Sequence, residues 1–387
     1  MASAQTFTTL LNFDGTNGLY PTFGPLVQAT NGSLYGTTGR PGGYGTIYKI
    51  TPGGALTTLH TFDPADRADP GAWLIQATNG DLYGATAQGG VNNGGTIFRI
   101  TPAGAPTTLY SFCAQTYCAD GGDPVGGLIH AADGDLYGTT TLGGANLGGT
   151  VFKITPAGAL TTFYSFVGPG NPSSGLLQAG NGDFYGTSVA GGTNACGTIF
   201  KITPAGALTT IHNFNLGDGC NPNVALIQAT NGVLYGTTIG GGPTAPAFGT
   251  IFEITSAVLT TLQGFDGTDG AYINGLVQDT NGSIYGMASF GGPSNDGTVF
   301  KLSLGLAPFV KTLPGYGPVG RRVQILGSDL TGATSVTFNG VPAVFTVVSA
   351  SEISTTVPAG ATKGKVELIT PGGTLVSNVV FGVPSAE

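Results

Sequence analysis

The sequence predicts an all-β protein: a six-bladed β-propeller closed by the chain's own N-terminal strand, followed by an immunoglobulin-like β-sandwich. Three observations predict it. A motif ending in Tyr-Gly returns six times at intervals near fifty residues, the period of propeller blades and comparable arrays. Each interval holds four short strand patterns divided by turn signals, with neither helical periodicity nor helix caps. The last repeat lacks its fourth strand, and a spare copy of that strand stands at the beginning of the chain.

The six tyrosines are Tyr35, Tyr83, Tyr137, Tyr185, Tyr235 and Tyr285, spaced 48, 54, 48, 50 and 50 apart. The first strand of a repeat ends in Gln-Ala-Thr or a relative, as in Leu26 to Thr30. A turn follows at Asn31-Gly32, Asn79-Gly80, Asp133-Gly134, Asn181-Gly182, Asn231-Gly232 and Asn281-Gly282. These dipeptides suit a two-residue type I′ hairpin with positive φ at both positions. The second strand is the Leu-Tyr-Gly-Thr-Thr segment, and a glycine-rich loop leads to the third, for example Gly149 to Ile154. A Thr-Pro-Ala-Gly turn (Thr155 to Gly158) leads to the fourth, Thr-Thr-Leu-x-x-Phe.

That fourth strand begins at Thr57, Thr107, Thr161, Thr209 and Thr260, whereas the sixth repeat stops at Lys301-Leu302. Thr8-Thr9-Leu10-Leu11-Asn12-Phe13 is the missing copy. Pairing it into the last blade latches the ring and removes the exposed edges of an open array. Residues 1–304 are therefore expected to form the propeller. A solenoid, the competing arrangement, gives no reason for the displaced strand.

Segments such as Gly134 to Thr140 and Gly149 to Pro156 resemble the GloVer tandem repeat, named for Gloeobacter and Verrucomicrobia. The resemblance covers about three quarters of the chain. It implies a secreted, extracytoplasmic bacterial protein and brings no catalytic residues with it.

Near residue 305 the composition changes. Residues 305–387 hold five basic and four acidic residues, a net +1, which leaves −9 on the repeats. Short strands are expected at Arg322–Leu326, Ser335–Phe338, Ala343–Val348, Glu352–Val357, Lys365–Thr370 and Leu375–Phe381, enough for a small sandwich. Phe338-Asn339-Gly340, Val357 to Ala361 and Thr370 to Thr374 resemble the IPT/TIG immunoglobulin-like domain, which implies a spacer or interaction module.

Composition excludes several classes. Charged residues make up 8% of the chain and glycine supplies 69 of 387 residues, yet 40% is hydrophobic, which argues against disorder. The collagen period is absent. Twelve basic residues scattered along a chain of net charge −8 give no nucleic-acid face. No apolar run reaches the roughly 20 residues of a membrane helix.

Four cysteines remain: Cys113, Cys118, Cys196 and Cys220. Cys113 and Cys118 bound the extra length of the longest repeat, as a pinned loop would. Cys196 and Cys220 lie in loop types that emerge on one face of an up-and-down blade, so their pairing is reasonable, although four cysteines allow three connectivities. No C-x-x-C pair exists and the three histidines lie on strands, so no zinc site is expected. Ala2-Ser3-Ala4-Gln5 looks like the remnant of a signal-peptidase site, which with the cysteines suggests export.

The turns joining strands one to two and three to four are minimal, whereas the loops joining two to three and each blade to the next are long and varied. Binding groups gather on such loops. The blade connections carry Asp14, Asn17, Asp66, Arg67, Asp69, Asp120, Asp123, Asp266 and Asp269, and Trp73 follows at a loop boundary. These residues fit three readings: loop aspartates holding backbone N–H groups, a calcium site at Asp14 to Gly18 or Asp266 to Gly270, or a carbohydrate site with Trp73, Tyr44 or Tyr117 as apolar surface. A second set, Gln28, Gln76, His130, Gln178, Gln228 and Gln278, holds one position on the six first strands and would ring a central channel. His130 is its one titratable member.

Neither a G-x-S-x-G elbow nor H-E-x-x-H is present, and the glycine-rich loops lead to strands rather than to phosphate-binding helices. The expectation is a secreted or cell-surface binding or adhesion protein that offers its loop face to a glycan or protein ligand without a cofactor. The alternatives are a polysaccharide hydrolase or lyase using loop aspartates, and a self-assembling surface protein.

Overall fold

The computed structural model of the 387-residue chain describes residues 27–29, 33–38, 45–51, 55–62, 74–77, 80–101, 104–131, 133–168, 170–292 and 298–383. The described residues are all-β, with one 3-10 turn at Thr116–Cys118 among them. They fall into two compact units, one within Met1–Asn215 and Asn221–Ala225, the other within Leu216–Cys220 and Leu226–Glu387. The first unit holds the sheets of repeats one to four. The second holds those of repeats five and six and the C-terminal sandwich.

Each of repeats one to five forms a four-stranded antiparallel sheet whose strands neighbour one another in chain order. In repeat three these are Ile129–His130, Leu136–Thr140, Leu147–Ile154 and Leu160–Val167. The sheet of repeat six has three described strands, Ala271–Gln278, Ile284–Phe290 and Thr298–Leu302. The segment Thr8 to Phe13, expected as its fourth, lies outside the described residues.

The repeat motif follows from packing. The tyrosine of strand two pairs with the charged residue of strand three, as Tyr137 with Lys153, and the next glycine pairs with an aromatic, as Gly138 with Phe152. A Cβ on Gly138 would stand 2.5 Å from Phe152 Cζ and 3.0 Å from Leu128 Cδ2, so only glycine lets the ring lie across the strand. The threonines closing strand two and opening strand three meet through their hydroxyls at 2.8 Å in repeats one, two and three. This buried pair accounts for both the Thr-Thr and the Gly-Thr of the motif. Strand four carries a bulge opposite the same place in strand three in each of repeats one to five, at Leu59, Leu109, Phe163, Ile211 and Leu262.

Alternation along the strands gives the sheets of the repeats two apolar faces. Tyr83, Ile97 and Phe112 of repeat two pack with Leu128, Leu136 and Phe152 of repeat three, and the same pattern joins repeats one to two and three to four. In the second unit Ile251 and Phe265 of repeat five pack with Ile273 and Ala288 of repeat six. Sheets covered on both faces leave little surface for charge, which explains the composition.

The turn between strands one and two differs from the type I′ expectation. Gly134, Gly182, Gly232 and Gly282 have φ near +80 to +90°, but Asp133, Asn181, Asn231 and Asn281 are not in the left-handed region. Gly134 N–H donates to Ala131 C=O and Ala131 N–H to Asp135 C=O, which makes a three-residue loop with a glycine bulge. The Asp or Asn is selected for its side chain instead: Asp133 Oδ1 accepts from Asp135 N at 3.1 Å, and Asn231 Oδ1 from Val233 N at 3.1 Å.

The sandwich pairs two four-stranded sheets. One runs Lys311–Leu313, Arg322–Leu326, Glu352–Thr356, Phe345–Ser349, and the other Val341–Pro342, Ser335–Phe338, Val366–Thr370, Gly373–Val376. Val323, Ile325, Phe338, Ile353, Val366 and Leu368 are among its buried core. Within the second unit the sandwich meets repeat six at the hairpin between strands one and two. Phe309 N donates to Thr280 O at 2.9 Å and Lys311 Nζ to Gln278 O at 2.9 Å, while Thr280 and Ser328 share a hydroxyl contact of 3.2 Å. Leu304 and Leu306 pack with Ala229, Tyr235 and Ile284. The described connection into sheet six, residues 265–270, therefore lies at the end opposite the sandwich.

Candidate functional site

The connection from repeat two to repeat three is the most elaborate described loop. Cys113 and Cys118 form a disulfide. Beside it the fully buried Asp120 carboxylate accepts from Tyr110 Oη at 2.8 Å, Ala114 N at 3.0 Å and Gln115 N at 3.2 Å. Burial, reinforced by the Asp120 carboxylate, pushes the Tyr110 phenol well above its ordinary range. Asp120 is thus a brace inside its loop. Asp123 Oδ2 accepts from Thr141 Oγ1 at 2.6 Å, tying the same connection to the next glycine-rich loop.

Asp266 and Asp269 shape another connection. Asp266 Oδ1 accepts from Thr268 N and Oγ1 at 2.8 and 2.6 Å, and these hydrogen bonds pull its carboxyl below the usual range. Asp269 Oδ1 accepts from Asp266 N at 3.2 Å and its Oδ2 from Gln263 Nε2 at 2.9 Å. All four of these candidate aspartates are engaged in loop hydrogen bonds. Among the described residues no three His, Cys, Asp or Glu side chains converge as a metal site. Asp14, Asn17, Asp66, Arg67, Asp69 and Trp73 lie outside the described residues. Cys196 and Cys220 are both disulfide-bonded, and no free cysteine is present.

The first-strand set serves the opposite, hairpin end. Gln76 Nε2 donates to Gly80 O at 2.8 Å, Gln178 Nε2 to Gly182 O at 3.3 Å and Gln228 Nε2 to Gly232 O at 3.0 Å. Gln278 bonds the Thr230 N and Oγ1 of repeat five, at 3.0 and 3.1 Å. His130 takes the glutamine's place with a hydrogen bond to the Gly134 backbone. Burial lowers its pKa, against that bond and the nearby Asp133 and Asp135. The side chain of Gln28 lies outside the described set. These residues clasp turns. Lys153 closes the same end of repeat three with ion pairs of 3.1 Å to Asp133 and 2.6 Å to Asp135. Tyr137 donates to Asp133 at 2.8 Å, and burial, with that bond, pushes its phenol up to about 12.

The two ends of the sheets thus differ. The hairpin end is occupied by its own hydrogen bonds and, at repeat six, by the sandwich. The loop end shows large apolar side chains to water, among them Val91, Tyr117, Leu142 and Leu147. Sequence reasoning singled out Tyr117 but passed over the other three. Their signal was present: bulky residues inside runs of Gly, Ala and Asn, where no core demands them.

The Gloeobacter/Verrucomicrobia repeat model matches residues 1–171 and again 168–341, and the IPT/TIG domain matches 309–382. No protein of curated function matches. PorZ of Porphyromonas gingivalis, described as a bacterial surface component of the type-IX secretion system, is 14% identical with a TM-score of 0.45, covering 91% of this chain and 50% of its own. This chain thus spans half the length of PorZ. A protein of unknown function from Dyadobacter fermentans is 14% identical, TM-score 0.45, covering 73% of this chain and 96% of its own. A putative 6-phosphogluconolactonase from Bacteroides fragilis is 18% identical, TM-score 0.46, covering 72% and 82%.

Proposed function

The chain belongs to the Gloeobacter/Verrucomicrobia repeat family and carries an IPT/TIG domain, and from that premise we propose a secreted or cell-surface binding protein. Its repeats, residues 1–304, close as a six-bladed propeller and offer their loop end to a glycan or protein ligand. The sandwich, residues 305–387, holds the hairpin end. The observation that carries this reading is the asymmetry of the ends. Minimal, internally bonded turns and the sandwich contact lie at one, and varied loops with exposed side chains at the other. Long loops on a rigid frame are where ligands are met. The disulfides support an oxidising compartment. No described helix is long and apolar enough to cross a membrane.

Closure is supported by sheet six. It has three described strands, and its Met287 is exposed where Ala85, Thr139, Thr187 and Thr237 hold the same place buried. A sheet with three described strands and an exposed apolar residue on its face calls for a fourth strand and a neighbour.

The test is a glycan array together with a pull-down from bacterial surface material, using the full chain. Saturable binding without release of reducing ends is expected. Turnover of a bound polysaccharide, abolished by Asp266→Asn or Asp269→Asn in a folded chain, would replace this reading with a hydrolase or lyase. Empty results from both screens would remove it.

A further inference from the structure

The strongest unexplained feature is the Cys113–Cys118 loop. Cys113, Tyr117 and Cys118 have φ of 57°, 57° and 53°, three non-glycine residues in the left-handed region within six positions. Such conformations persist only where surrounding structure over-determines them, and they gather at ligand clamps. The surroundings here are the disulfide, the Asp120 brace, and bonds from Gly144 N to Cys118 O (2.8 Å) and Cys113 N to Gly121 O (3.1 Å). What they hold in place is the backbone that presents Tyr117, a residue 85% exposed. Packing gains nothing from it.

Two neighbouring loops are locked to this one. Asp123 N donates to Gly94 O at 2.9 Å, and Gly122 and Leu142 exchange backbone bonds of 2.9 and 3.0 Å. Together they expose Asn93, Gln115 and Asn146, and Val91 and Leu147 at 92% and 67%. Residues 87–95, 113–123 and 141–149 contain no basic residue, and their two acids, Asp120 and Asp123, are engaged within the loops.

We propose that these three loops form a binding site for a neutral polysaccharide, with the Tyr117 ring as the platform for a sugar's apolar C–H face. This rests on the loop-end reading above. Exposed amides donate to and accept from hydroxyls, and an aromatic ring on a braced backbone supplies apolar area at low ordering cost, with two side-chain torsions to fix. The absence of charge selects against acidic polymers. A protein partner fits less well, because the arginines typical of protein interfaces are missing from these loops.

The test is affinity electrophoresis of the full chain through gels containing dextran, laminarin, xyloglucan or galactomannan, with alginate as the charged control. At least one neutral polymer should retard the protein and alginate should not. Tyr117→Ala should weaken retardation about tenfold, the equivalent of ~1.4 kcal/mol, and Tyr117→Phe should preserve it. The exposed position leaves the unfolding temperature of both variants unchanged. The double variant Cys113→Ser, Cys118→Ser keeps the ring but frees the loop, and should also weaken binding. Retardation unaffected by Tyr117→Ala overturns the site while leaving the loop-end reading standing. Wild type passing every neutral gel unretarded overturns the ligand class. A protein captured by wild type and lost with Tyr117→Ala assigns the patch to a protein instead.

Discussion

Gly138 has no Cβ because Phe152 occupies the space where one would be, 2.5 Å from its ring tip. Its φ is ordinary, so the requirement is for space and not for backbone freedom. Gly138→Ala should cost about 1–3 kcal/mol through overpacking, read as a lower urea midpoint with an unchanged slope. His130 makes a different prediction. Burial lowers its pKa, so below about 6.5 the unfolded chain binds the proton more readily than the folded one. Its contribution to stability is complete above that pH and is lost as pH falls toward the depressed folded value. Glutamine makes the same bond to the turn glycine at Gln76, Gln178 and Gln228. His130→Gln should therefore leave the unfolding temperature at pH 7.5 nearly unchanged and raise it relative to wild type at pH 5.

At the scale of elements, the braced connection from repeat two to repeat three depends on one carboxylate. Asp120→Asn leaves a single acceptor for three donors, a loss of about 1–3 kcal/mol. Hydrogen exchange should rise first at Ala114 and Gln115, whose N–H groups Asp120 accepts. Equal protection of both amides in the variant would show that the disulfide alone shapes the loop. The elements also show what the sequence makes legible. Second, third and fourth strands are written as alternation bounded by glycine and proline, and in the sandwich Arg322–Leu326 and Ser335–Phe338 fall where their pattern puts them. Lys311–Leu313 went unseen because three residues give no periodicity. The Asn-Gly turns were misread because the dipeptide satisfies two hairpin geometries, and only the backbone bond from Gly134 to Ala131 decides between them. The aspartates were legible as loop residues. That their oxygens were already engaged was not, since it depends on neighbours such as Tyr110, ten positions away. Val91 and Leu147 were legible as bulky residues inside glycine-rich loops, but how far each is exposed is a tertiary fact.

On the scale of the whole molecule, a row of repeat sheets, each apolar on two faces, cannot end without exposing one. The spare copy of the fourth-strand motif, Thr8 to Phe13, supplies the answer proposed here, a ring that would turn the same end of every repeat toward the proposed ligand. The register within the repeats makes the claim measurable. Lys49 pairs with Thr57 and Lys153 with Thr161, which places Thr8 opposite Lys301 if the latch forms. The decisive measurement is disulfide trapping of the Thr8→Cys, Lys301→Cys double variant, with Lys153→Cys, Thr161→Cys as the control pair. Closure predicts an intrachain cross-link in the monomer, found by mass spectrometry as a peptide joining positions 8 and 301. Thiols that stay free, or that join two chains while the control pair closes normally, would contradict it.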